Sequence, residues 1–206
     1  FFRNDIKQII SAWFRQITKR PALSSTEKSD ARMGWLIIVG SLPIAVLGYL
    51  GKDVIRNDFR SLWLIASTLI IFGVILGIAD KYGNSNRDLS KLSVRDGLLY
   101  GFAQSLALVP GVSRSGATIA MGRFLGYSRP AALRYSFLLA LPAVFGSGFY
   151  ELKGALADGG DTGTFTISET LLATGIAFVI GYAVIAWLLK FVSTKSFAPF
   201  IIYRIA

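Results

Sequence analysis

Four stretches of this chain, 33–51, 61–79, 131–150 and 170–189, carry almost no charged side chain. Each approaches the roughly 20 apolar residues that one helix needs to cross a hydrocarbon core about 30 Å thick. With 53% hydrophobic residues among 206, the chain has too much apolar surface to hide in one water-soluble core. In lipid the backbone must satisfy its own hydrogen bonds, which leaves helices as the spanning elements here. The expected fold class is therefore all-α: a polytopic membrane protein forming a single transmembrane domain over 1–206. Pro43 and Pro142 mark expected kinks in the first and third spans.

Both ends look unfinished. Phe1-Phe2-Arg3-Asn4-Asp5 lacks the basic, apolar, small-residue order of a secretory signal and reads as the tail of an apolar segment already under way. At the other end, 200–206 starts a last helix that stops early, so a fragment truncated at both ends is expected. Within 1–20, Ile6, Ile9, Ile10, Trp13, Phe14 and Ile17 recur at helical spacing, with Lys7, Arg15 and Lys19 among them. That pattern describes an amphipathic helix lying at the membrane interface, or one packed on its neighbours in the cytoplasm.

The net charge of +10 is confined to short segments between apolar runs, unlike the broad basic face of a nucleic-acid binder, so no nucleic acid is expected as a partner. Seven Lys or Arg lie between Arg3 and Arg32 and four between Lys81 and Arg95, which places both segments in the cytoplasm and against anionic membrane lipids. The segment from Glu151 to Glu169 has Lys153 alone against Glu151, Asp158, Asp161 and Glu169, with Gly159, Gly160 and Gly163 between them, and belongs outside. There is no Cys and no His, which excludes thiol and imidazole chemistry within this chain.

These sides alternate correctly only if 97–126 begins and ends in the cytoplasm. That segment is apolar but broken at Pro110-Gly111, and each half is too short to span. A re-entrant helical hairpin is expected, with its tip near mid-membrane, where irregular backbone survives only when buried in protein or lining a watery cavity.

The tip carries the chemistry. Pro110-Gly111-Val112-Ser113-Arg114-Ser115-Gly116-Ala117-Thr118 combines a guanidinium, three hydroxyls and two glycines. An intramembrane arginine costs about 2.5–3.5 kcal/mol on insertion scales, which calls for an anionic partner. Its planar fork suits bidentate phosphate binding. Gly111 and Gly116 permit tight turning, and Ser115 is expected to cap a helix starting near Gly116, whose N–H groups favour phosphate. Ser113, Ser115 and Thr118 add hydroxyl donors, and one of the serines is a candidate nucleophile. A plain turn with Arg114 paired to a neighbouring carboxylate would use the same residues, and so would the broken helix of a transporter.

The stretch from Gly101 to Thr118, GFAQSLALVPGVSRSGAT, resembles the signature of the bacterial undecaprenyl-diphosphate phosphatases linked to bacitracin resistance, and the closing Phe200-Ile201-Ile202-Tyr203-Arg204 extends the resemblance. It implies an inverted repeat with two re-entrant hairpins, of which this chain holds one, in the inner membrane with the active site facing the periplasm. The implied activity is removal of the terminal phosphate of undecaprenyl diphosphate, a polyprenyl diphosphate lipid, regenerating the carrier for peptidoglycan. It also implies Arg114 as the essential phosphate ligand, Ser113, Ser115 and Thr118 as pocket hydroxyls, and Gly111 and Gly116 as shaping the loop. The family's glutamate-rich motif and histidine have no counterpart here. The Mg²⁺ or Ca²⁺ that the resemblance implies therefore lacks its expected carboxylates, metal ligands stay unknown, and the fragment alone is expected to be inactive.

Other residues carry structural expectations. Gln104 is expected to hydrogen-bond between helices, Asp96 to cap the hairpin's first helix, and the four Trp to lie at membrane edges. Gly97 with Gly101, and Gly122 with Gly126, have the small-xxx-small spacing that serves helix packing within one chain or a homodimer seam equally well. A secondary transporter or flippase for an anionic lipid or small anion is the alternative function, and a purely structural membrane subunit the third.

Overall fold

The computed structural model describes residues 1–18, 23–51, 61–83, 87–157 and 166–206, and every regular element in them is helical. In chain order these are α1 (Arg3–Ile17), α2 (Ser25–Leu50), α3 (Leu62–Tyr82), α4 (Val94–Ser105), α5 (Arg114–Phe124), α6 (Arg129–Ala157), α7 (Ile167–Thr194) and α8 (Ala198–Ile205). Among the described residues four helices, α2, α3, α6 and α7, are long and apolar enough to cross a membrane. Lys19, Asp158, Gly159, Gly160, Asp161 and Gly163, used above to place helices and loops, lie outside the described residues.

The helices outrun the apolar runs because lipid limits only the part inside it. Helix α2 starts at Ser25, ahead of Met33, since Ser24 and Glu27 form a reciprocal capping box that satisfies the first N–H groups in water. Thr166 and Glu169 do the same for α7. Pro43 and Pro142 both lie inside their helices. The apolar face of α1 lies on α2 and α6, where Phe2, Ile9 and Ala12 are buried and Trp13 meets Trp35 edge-on with centroids 5.5 Å apart.

Helices α4 and α5 form the two halves of the hairpin, joined by a 3₁₀ turn at Leu106–Leu108 and an irregular stretch to Ser113. The first half lies along α2 so closely that a Cβ on Gly40 would come within 2.9 Å of the Gly97 carbonyl. Gly97 and Gly101 thus serve contact within the chain, and Gly122 likewise packs under Tyr100 and Ala132. The second half is enclosed by α3 and α6. Two apolar cores result. One gathers Leu36, Tyr100, Tyr135 and Leu139 from α2, α4 and α6, and the other gathers Leu76, Ile119, Leu133, Val192 and Phe197.

The start of α4 differs from the sequence expectation. The cap is Ser93, and Asp96 is its partner in a capping box, because a carboxylate at the third helical position can reach back to the cap's N–H. Asp96 is also buried and accepts bonds from the Tyr127 hydroxyl at 2.7 Å and Arg87 Nη2 at 2.8 Å. Burial alone would raise its carboxyl. The bonds from Tyr127, from Ser93 and from Arg87 outweigh that and hold it below the ordinary carboxylate range. A depressed carboxyl contributes stability above its unfolded value of about 3.9, which is lost as pH falls through the lower folded value. Tyr127→Phe is therefore expected to cost about 1.5–3 kcal/mol at neutral pH. Thermal unfolding in detergent checks this, and the gap to wild type should close as the pH is taken below about 4.

Candidate functional site

The backbone between the two half-helices is shaped by two residues in the left-handed region, Gly111 at φ 90° and Ser113 at φ 57°. This turn brings the helix start forward: α5 begins at Arg114, and the cap is Ser113, whose Oγ accepts the Gly116 N–H at 3.3 Å. The expected cap, Ser115, is already in the first helical turn. The reversal at Gly111 and Ser113 completes the turn two residues sooner than the glycine pattern implied. With the Gly116 and Ala117 N–H groups bonded to Ser113, those of Arg114 and Ser115 are left without an intrahelical acceptor.

The loop's carbonyls are held from outside the hairpin. Thr68 of α3 donates its hydroxyl to the Pro110 carbonyl at 2.7 Å. Arg204 of α8 donates through Nη2 to the Gly111 and Val112 carbonyls at 3.0 and 3.2 Å. Its Nη1 lies 2.6 Å from the point where a Cβ on Gly116 would sit, so any side chain at 116 would displace it. The remaining Arg204 nitrogens, Nε and Nη1, are buried with no hydrogen-bond partner among the described residues.

The predicted residues divide between two sides of the α5 N-terminus. Arg114 is half-buried in a cavity of about 900 Å³ between α2 and α6, lined also by Ser41, Tyr49, Leu108, Ser147 and Tyr150. Ser113, Ser115 and Gly116 line a second cavity of about 320 Å³, facing Leu76, Phe200 and Arg204. Thr118 reaches neither of these two cavities. It is fully buried, donates to the Arg114 carbonyl at 2.9 Å and meets the Ser136 hydroxyl of α6. Gln104 is fully buried too, and its amide makes no hydrogen bond among the described residues, in place of the interhelical bond expected of it.

Among the described residues no carboxylate lines either cavity and none lies within ion-pair distance of Arg114. The guanidinium fork is thus open to an anion from outside the chain. The same lining does not fit a divalent cation. Hard cations take carboxylate and carbonyl oxygens, and no three acidic groups of the described residues converge anywhere. Sequence reasoning missed Arg204, Thr68 and Ser136 as parts of this region. Arg204 carried a signal only through its place in Phe200–Arg204, and the two hydroxyls only as polar residues inside apolar helices.

Comparison with known proteins gives the relatives of this arrangement. The family model described as bacitracin resistance protein BacA matches residues 1–206. An undecaprenyl-diphosphatase of Micrococcus luteus is 58% identical over 100% of this chain and 73% of its own length. The undecaprenyl-diphosphatases of Paenarthrobacter aurescens and of an Arthrobacter species are each 54% identical over 100% of this chain, covering 73% and 71% of theirs.

The left-handed turn is itself testable. An alanine at 111 would be strained at φ 90° and its Cβ would approach the Ile65 carbonyl to 2.6 Å. Gly111→Ala should destabilise by about 1–3 kcal/mol. Gly148→Ala is the matched control in α6, where an added methyl meets nothing within 4 Å and should not lower the melting temperature in detergent.

Proposed function

The chain belongs to the bacitracin resistance protein BacA family, and from that membership we propose that it is an undecaprenyl-diphosphatase, a membrane enzyme converting the lipid diphosphate to the monophosphate carrier used in peptidoglycan synthesis. The single observation that carries the assignment to this region is Arg114: a guanidinium at a helix N-terminus, half-buried in a membrane-embedded cavity, with no carboxylate of the described residues beside it. A permanently charged group is tolerable there if an anionic headgroup enters to meet it.

The chemistry follows from the placement. Arg114 grips the terminal phosphate through two parallel N–H donors, and the α5 N-terminus on which it stands adds partial positive charge. The bond between the bridging oxygen and the terminal phosphorus breaks, the electron pair stays on the bridging oxygen of the lipid monophosphate, and oxygen from water completes the released inorganic phosphate. Charge spreads over the transferred group as the bond lengthens, and fixed donors are most effective at that stage. Ser113 uses its lone pair to cap α5 and keeps its O–H free to donate, and Ser115 presents a second hydroxyl. Because both serines line the cavity across the α5 N-terminus from Arg114, the entering oxygen is that of water, whose proton leaves with the released phosphate. Thr118 supports Arg114 from beneath through its carbonyl, and Gly111 and Gly116 give the loop its turn and admit Arg204. The Mg²⁺ or Ca²⁺ implied by the family resemblance finds no carboxylate set among these residues, and none of these steps is assigned to it.

Orientation supports a periplasmic mouth in the inner membrane. The Arg114 cavity is lined by Gly48 and Tyr49 at the end of α2 and by Gly146 and Tyr150 in the far half of α6, away from the basic segments at the start of both helices. The polyprenyl tail remains in lipid. A homodimer would have to use surfaces other than Gly97, Gly101 and Gly122, which are occupied within the chain.

Phosphate release from a polyprenyl diphosphate, assayed on the full-length protein with a divalent cation, tests the reading. Arg114→Lys keeps the charge but loses the fork, and kcat/KM should fall roughly a hundredfold. Full activity in that variant would remove the bidentate role. Lipid crossing a liposome bilayer with no phosphate released would mark a transporter instead.

A further inference from the structure

Four helices meet at one buried carboxylate far from the hairpin tip. Asp80, near the end of α3, is 6% exposed. It accepts two bonds from Arg129 at the start of α6, Nε at 2.6 Å and Nη2 at 3.2 Å. Arg123, at the end of α5 and 1% exposed, lies 3.5 Å away as a second cation. The backbone N–H of Phe197, which caps α8, donates to Asp80 Oδ2 at 3.1 Å. A carboxylate taken out of water is costly unless its lone pairs are filled, and here the Arg129 guanidinium and the Phe197 N–H fill them, with the Arg123 charge beside them at 3.5 Å. Arg123 fastens the same corner further by donating to the carbonyls of Gly83 and Tyr127 at 2.8 and 2.7 Å.

What makes this more than a local clamp is where the three helices go next. Helix α3 runs back from Asp80 to Thr68, twelve residues or about 18 Å away, where Thr68 holds the Pro110 carbonyl. Helix α5 joins Arg123 at this corner to Arg114 at the tip, nine residues or about 14 Å. Helix α8 joins Phe197 at this corner to Arg204 at the tip, seven residues or about 10 Å. The three helices are therefore tied together at both ends, by Asp80 at one and by the Pro110–Val112 carbonyls at the other. Because Arg204 follows the α8 cap by only seven residues, about two turns, the hydrogen bond at that cap sets how far Arg204 reaches along the loop.

We propose that Asp80 is a positioning residue for the phosphatase site: by holding the α8 cap and the α5 end at one point, it sets the axial register that lets Arg204 brace the Gly111–Val112 carbonyls behind Arg114. The inference rests on the function proposed above, and it requires Asp80 to act through Arg204 and not through bulk stability.

A double-mutant cycle on the full-length protein separates those possibilities, with phosphate release as the readout and thermal unfolding in detergent measured on every variant. Asp80→Asn keeps the side chain's size and one acceptor but weakens both arginine contacts. It should lower kcat about ten- to a hundredfold, as a displacement near 1 Å does, with KM changed less than about twofold. In an Arg204→Ala background the same substitution should lower kcat no further, because the element it positions is gone. Losses that multiply, an effect confined to KM, or an unchanged kcat would each overturn the proposal. If Asp80→Asn does not yield folded protein, Arg129→Gln removes the two-pronged partner alone and the cycle is run with it, judged by the same outcomes. Wild-type activity that disappears in Arg114→Lys while the cycle shows multiplicative losses would leave the function standing and remove only Asp80's role. A wild-type protein that releases no phosphate would remove both.

Discussion

Irregular backbone has to survive in an apolar solvent, and most of this structure is arranged around that constraint. Between Leu108 and Arg114 the helix is interrupted, so its carbonyls lose intrahelical donors at a depth where lipid offers none. Three are recovered by side chains from elsewhere, Pro110 by Thr68 and Gly111 and Val112 by Arg204, while Val109 and Ser113 accept the backbone N–H groups of Val112 and Ala117. These bonds explain why α3 and α8 must flank the hairpin. The left-handed turns at Gly111 and Ser113 let α5 begin at Arg114, whose N–H and that of Ser115 have no intrahelical acceptor. Of the groups exposed by the break, the acceptors are bonded within the protein and part of the donors are left for a ligand.

Much of the fold could be read from the sequence because the bilayer simplifies the problem. Helices are the only spanning solution for runs such as 61–79, and a break at Pro110-Gly111 between two short apolar halves has few outcomes other than a re-entrant pair. The same simplification hides helix ends. Hydropathy stops at the lipid boundary, but α2 continues outward until Ser24 and Glu27 cap it, and α6 continues to Ala157. Those extensions follow capping chemistry and local pairing, which a hydropathy profile does not register.

The candidate site was legible by residue type and opaque in arrangement. Arg114 stands out in the sequence because a charge within an apolar hairpin is costly, and the structure places it half-buried in the cavity between α2 and α6. The division between Ser113, Ser115 and Gly116 on one side and Arg114 on the other could not be seen, since it depends on the φ of 57° at Ser113. Ser115 was assigned a cap that belongs to Ser113 for the same reason. Thr118 looked like another pocket hydroxyl, but helical spacing turns it toward Ser136 and α6. Partners distant in sequence, Arg204 above all, need the tertiary fold to bring them in.

The charge balance along α5 completes the argument. Its C-terminal end carries Arg123, where the negative end of the helix dipole and the Asp80 carboxylate both favour a cation. Its N-terminal end faces Arg114 and Arg204, two cations at the positive end of the same dipole with no carboxylate among the described residues that line the cavities. At one end, then, a carboxylate of the fold offsets part of the positive charge. At the other the positive charge stands in excess, in a site where solvent screening is weak and an entering anion interacts strongly. A diphosphate headgroup is multiply charged and compact, and it suits that end as an uncharged or cationic ligand would not. The corner at Asp80 stabilises the fold with its own charges, whereas the tip keeps its positive field for the substrate.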